Sequence, residues 1–137
     1  MRTGLLALAL VVLLGGGAAF FVLSGGLPRP ARTRDTVYLL TLADLSVNLA
    51  DQDHPHYLMA SLSLAIAGER PEERVPEQDA QIRDAVLMVM TRHAYHQLLS
   101  AEGKGKLKDE LAAAVTEVLS EEKLRVKEVL FTSFIMN

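Results

Sequence analysis

From Leu5 to Leu27 the chain has no charged side chain, and Ser24 is the single polar one. Leu, Val, Ala, Gly and Phe make up the rest. A bilayer core about 30 Å thick is crossed by roughly 20 helical residues rising about 1.5 Å each, so the run is long enough to span once. A helix also satisfies its own backbone hydrogen bonds, which lipid will not do for it. Gly15, Gly16 and Gly17 each weaken a helix in water by roughly 1 kcal/mol, but glycine is commoner in membrane helices than in soluble ones. The run constrains everything after it. Residues 37–137 are expected to form a domain held at a membrane, joined by a tether over 28–36 and preceded by a short start at 1–4.

A cleaved signal peptide is the competing reading, with Arg2 as its charged start and Gly17-Ala18-Ala19 as a small-residue cleavage site. Against it, the apolar run exceeds the roughly 7–15 residues of a signal core and continues through Phe20-Phe21-Val22-Leu23 past the candidate cut. We read the run as a retained anchor. Pro28 and Pro30 fix φ in the tether, leaving little slack between anchor and domain. The tether arginines are within reach of anionic headgroups, at about 1 kcal/mol each, or are simply solvated.

The residues beyond the tether, about 100, make one small domain with a core of its own. Net charge is −3 and unevenly placed. Up to residue 36, Arg2, Arg29, Arg32 and Arg34 oppose Asp35 alone; the remainder holds 10 basic and 16 acidic residues. An acidic domain without a basic stripe argues against nucleic acid. The absence of cysteine removes disulfides, thiolate catalysis and cysteine metal sites. Flanking charge places the domain side in the cytoplasm by a margin of about one charge, too small to assign topology.

Within the domain, Val37 to Ala50 shows period two, clearest where Leu45, Val47 and Leu49 alternate with Asp44, Ser46 and Asn48. Val37 to Leu42 is apolar on both faces except at Thr41. Asp51-Gln52-Asp53-His54-Pro55-His56 is rich in turn formers. A second period-two run, Tyr57 to Ala67, puts Leu58, Leu62, Leu64 and Ile66 on one face, so the pair predicts an antiparallel hairpin. Gly68 to Val75 is a charged connector with room for a helical turn. From Pro76 the period becomes helical through Ile82, Ala85, Val86, Val89 and Met90, and the helix is expected to run to about Leu99. Ser100-Ala101-Glu102-Gly103 marks a break, with Ser100 a candidate cap. A second helix carries the stripe Leu107, Leu111, Ala114, Val115, Val118 and Leu119, and the charges of Glu121-Glu122-Lys123 end it. Val126 to Met136, β-branched and aromatic, closes the chain as a strand apolar on both faces. The order is β-β-α-α-β, an α+β domain with two helices against a sheet.

Candidate chemistry is sparse. His93 and His96 stand three apart on the expected helix, within reach of one metal, and His54 and His56 flank a proline in a loop. No third ligand is assured, the His-Glu-x-x-His pattern is missing, and no metal site is assigned. The serines sit in no Gly-x-Ser-x-Gly elbow. Gly103-Lys104-Gly105-Lys106 lacks the Walker spacing and the following Ser or Thr, and its lysines are read as a solvated helix face. The acidic pairs are solvated connectors. Neither a catalytic residue nor a cofactor is assigned. Two non-catalytic classes remain: a scaffold or modulator of a membrane complex, and a tethered sensory or adaptor domain. The small residues Gly15 to Ala19, which let membrane helices approach closely, favour the first.

Four stretches in order behind the anchor resemble the flagellar basal-body protein FliL family. They are Ser46-Val47-Asn48-Leu49, Ile82-Arg83-Asp84-Ala85, Ala101-Glu102-Gly103-Lys104-Gly105-Lys106-Leu107 and Val126-Lys127-Glu128-Val129-Leu130-Phe131-Thr132-Ser133-Phe134. The third is similar to the family's Gly-Lys-x-x-Leu signature. Thr91-Arg92-His93-Ala94-Tyr95-His96 departs from the Ser- and Lys-containing stretch expected there. The resemblance implies a fold similar to stomatin-type (SPFH) domains and a non-catalytic inner-membrane protein, its amino terminus inside and its domain in the periplasm. It implies a homo-oligomeric ring around the motor stator, with stator and MS-ring proteins as partners, supporting torque, swimming and chemotaxis. For lateral contacts we expect the exposed face of the second helix and the strand edges. A closed ring needs two different complementary patches, which singles out the scarce basic residues Arg70, Arg74, Arg83 and Lys123.

Overall fold

Five rows of side chains cross a three-stranded antiparallel sheet and form one wall of the core. The computed structural model describes residues 35–137. The expected anchor at 5–27, the start at 1–4 and nearly all of the tether lie outside the described residues, among which no helix is long and apolar enough to cross a membrane. Strand β1 spans Thr36–Asn48, β2 Tyr57–Gly68 and β3 Arg125–Met136, with β2 in the centre. The core rows are Tyr38–Ile66–Val126, Leu40–Leu64–Val129, Leu42–Leu62–Phe131, Leu45–Ala60–Phe134 and Val47–Leu58–Met136.

Strict alternation would not align these rows. β1 carries an extra residue between Leu42 and Leu45, where Asp44 takes φ 54° and donates its N–H to Ser61 Oγ at 3.0 Å. β3 carries two more: Lys127, between Val126 and Glu128, and Thr132, between Phe131 and Ser133. Each bulge shifts the phase by one, so Val126, Val129, Phe131, Phe134 and Met136 all face the core. The last strand, expected to be apolar on both faces, thus gathers most of its apolar side chains onto one. Leu130 and Ile135 remain outside.

The helix layer begins with the single turn α1, Pro71–Arg74, followed by a 3-10 turn at Pro76–Gln78. Helix α2 spans Asp79–Thr91 and α3 spans Ala101–Val118. The 3.6-residue period lines up Ile82, Val86, Val89 and Met90 on α2 with Leu107, Leu111 and Val115 on α3, all buried. Ala85, Ala114 and Val118, read as part of these stripes, are only half-buried at their margin. Helix α2 packs chiefly against β1 and α3 against β3, giving the expected α+β order.

The first long helix is shorter than expected, stopping at Thr91 rather than near Leu99. The β1–β2 connection holds the chain out of the helix. Ala50 N–H donates to the His93 carbonyl at 2.9 Å, and Tyr95 N–H donates to Asp51 Oδ2 at 2.8 Å. Ala94 is extended between them, and a separate 3-10 turn, Tyr95–Leu98, follows. Ser100 caps α3, its Oγ accepting from Gly103 N–H at 3.0 Å. The expected break at Ser100–Gly103 is therefore the first turn of α3. A side chain at 103 would overlap the Gln97 carbonyl oxygen, so the preceding turn can close on α3 only over glycine. After α3, a 3-10 turn at Ser120–Glu122 and a left-handed Lys123 (φ 55°) lead into β3.

Candidate functional site

The turn between α2 and α3 and the β1–β2 connection meet at one end of the helix layer, and the histidines divide between two clefts there. His93, 9% exposed, places Nε2 2.8 Å from Glu110 Oε2 on α3. Together with Arg92, Gln97, Ser100 and Lys106 it lines a cleft of about 410 Å³. His96 lies on the other side, in a hollow of about 250 Å³ bordered by Asp51, Asp53, His54 and His56. There the His56 ring stacks on Tyr95 with centroids 4.2 Å apart. The pair His93 and His96, read as neighbours on one helix, is separated because that helix has ended. Among the described residues no three His, Asp or Glu side chains are placed to share a metal ion.

Gly103-Lys104-Gly105-Lys106 is helical rather than a phosphate-cradling loop. Lys104 and Lys108, read as a solvated face, instead lie over aromatic rings of β3: Lys104 Nζ is 5.3 Å from the Phe134 centroid and Lys108 Nζ 5.7 Å from that of Phe131. Their stems cover the rim of the core and their heads reach solvent.

Of the four basic residues singled out for lateral contacts, Arg74 is occupied within the domain. Its Nη1 donates to the Glu122 carbonyl at 3.0 Å and to Glu122 Oε2 at 3.2 Å, tying α1 to the turn before β3. Arg70 meets Glu73 at 3.4 Å on the surface. Arg83 and Lys123 form no ion pair among the described residues. Strands β1 and β3 each pair on one side only, but bulges interrupt both, which blunts an edge as a template for another strand.

The larger surface is one that sequence reasoning passed over. The sheet face turned away from the helices exposes Val37, Leu39, Tyr57, Met59, Leu130 and Ile135. The apolar outward positions of β1 were the available signal, and the bulges in β3 hid the remainder. An exposed apolar face of this kind serves for contact rather than turnover.

The FliL family, described as flagellar basal body-associated protein FliL, matches residues 39–136. The match takes in all four stretches that carry the sequence resemblance. A flagellar protein FliL from Aquifex aeolicus (strain VF5) is 30% identical over 90 residues, covering 66% of this chain and 55% of that protein. The chain thus spans about half the length of the curated relative it matches.

Proposed function

Because the chain belongs to the FliL family of flagellar basal body-associated proteins, we propose that it is a non-catalytic accessory of the flagellar motor. It assembles around the stator and supports stator engagement, torque and swimming. The observation that carries this reading is the family match over residues 39–136, nearly the whole described domain. Residues 1–4 lie in the cytoplasm, 5–27 cross the inner membrane once, and 28–36 tether the domain of 37–137 in the periplasm. The copies form a ring in the membrane plane, with stator and MS-ring proteins as partners and a core similar to stomatin-type domains.

One observation favours a second reading, a periplasmic sensory or adaptor domain of a different complex: the cleft of about 410 Å³ beside His93. Affinity capture of the full-length chain in mild detergent, with crosslinking and mass spectrometry, separates the two. Stator and basal-body proteins in the eluate support the motor role. Their absence after crosslinking, with a small molecule retained by the domain, supports the sensory one.

A further inference from the structure

The domain has two layers and two open apolar surfaces. On the bare sheet face, central strand β2 presents only small residues, Ala67, Ala65, Ser63 and Ser61, while Leu39 on β1 and Leu130 on β3 stand up on either side. The two outer strands are about 10 Å apart, close to the width of a helix, so the face is a shallow trough. From Ala67 to Ser61 it runs roughly 20 Å, the length of a helix of about 13 residues. Helix α2 has 13. Its outward side carries Met88, 56% exposed, beside a groove of about 570 Å³ between α2 and α3 lined by Ala85, Val89, Ala114 and Val118.

We propose that these surfaces are the two halves of one contact between copies of this chain: α2 of one copy lies in the sheet trough of the next. Leu39 or Leu130 of the receiving sheet then enters the α2–α3 groove. The sheet, covered by helices on one side within the chain, becomes covered on both, completing a three-layer α/β/α packing. Charge agrees with this pairing. Arg92, one turn beyond Met88, and Glu128, in the same row as Leu39, form no ion pair among the described residues and have opposite sign. The two patches are different, so the contact is heterologous and repeats from copy to copy, as a closed ring requires. It buries on the order of 500 Å² per partner, the low end for specific interfaces, and so holds among copies concentrated in one membrane rather than between free domains. The inference rests on the ring reading and names its interface.

The chain has no cysteine, so introduced thiols report unambiguously. Full-length Leu130→Cys and Met88→Cys, both at exposed positions, are expressed separately, together, and as a double variant, then oxidised in membranes. The parallel set uses Leu39→Cys with Met88→Cys. For at least one set, co-expression gives a disulfide dimer, the double variant a ladder of higher species, and each single variant neither. Arg92→Glu and Glu128→Arg each reduce crosslinking about threefold, and together restore it. Dimers from Leu39→Cys or Leu130→Cys alone would mean sheet faces packed on each other and overturn the proposal. No mixed disulfide in either set, while the full-length protein still migrates as an oligomer, overturns this interface and leaves the ring standing. A monomer under every membrane and detergent condition removes the ring itself.

Discussion

His93 Nε2 and Glu110 Oε2 lie 2.8 Å apart, closing the turn after α2 onto the middle of α3. The imidazole is nearly buried and the carboxylate about half exposed. Glu110→Ala leaves a buried ring nitrogen without its partner, at a cost of about 1 kcal/mol. Thermal unfolding of a domain of this size is expected to fall by about 4–8 °C, and His93→Leu in the same chain to recover part of the loss. An unchanged melting temperature in Glu110→Ala contradicts the bond.

Gly103 and Gly105 both stand early in α3 yet answer oppositely to alanine. At 103 a Cβ collides with the Gln97 carbonyl, whereas at 105 nothing lies within 4 Å. Gly103→Ala is expected to cost about 2 kcal/mol or more. Gly105→Ala should instead add about 0.5–1 kcal/mol through helix propensity. Urea midpoints of the two variants test this; equal shifts of the same sign would mean the turn does not close over residue 103.

How much of this was legible in the sequence follows from the range of each interaction. The hairpin and the helix stripes were read correctly because periods of 2 and 3.6 are local, as with Leu58, Leu62, Leu64 and Ile66. The Ser100 cap was local too. The end of α2 was missed because Ala50 and Asp51, some 44 residues from Tyr95, hold the chain there. The bulges at Lys127 and Thr132 are visible only against the register of β2. The contact surfaces suffered likewise: Arg74 looked available until its bond to Glu122, 48 residues away, was placed.

The bulge in β1 rests on Asp44 at φ 54°. Asp44→Gly, which adopts this conformation freely, should leave stability within about 0.5 kcal/mol. Asp44→Val meets the β-branched penalty and should lose about 1–2 kcal/mol. Denaturant unfolding distinguishes them, and a valine variant as stable as the glycine one would place the bulge elsewhere.

Charge reversal separates structural from free arginines. Arg74→Glu sets a carboxylate beside Glu122 and breaks the bond to its carbonyl, so a loss of about 1–2 kcal/mol is expected. Arg70→Glu, on the surface, should change stability by no more than about 0.5 kcal/mol. Reversed ranking of their urea midpoints contradicts the Arg74–Glu122 clamp.

The most direct measurement of the proposed motor role is stall torque of single motors in a bead assay, comparing cells with and without this chain. Fewer engaged stator units and lower stall torque are expected in its absence, with recovery from the full-length chain but not from residues 35–137 expressed without the apolar segment. Identical torque in cells with normal flagella would contradict the role in stator engagement.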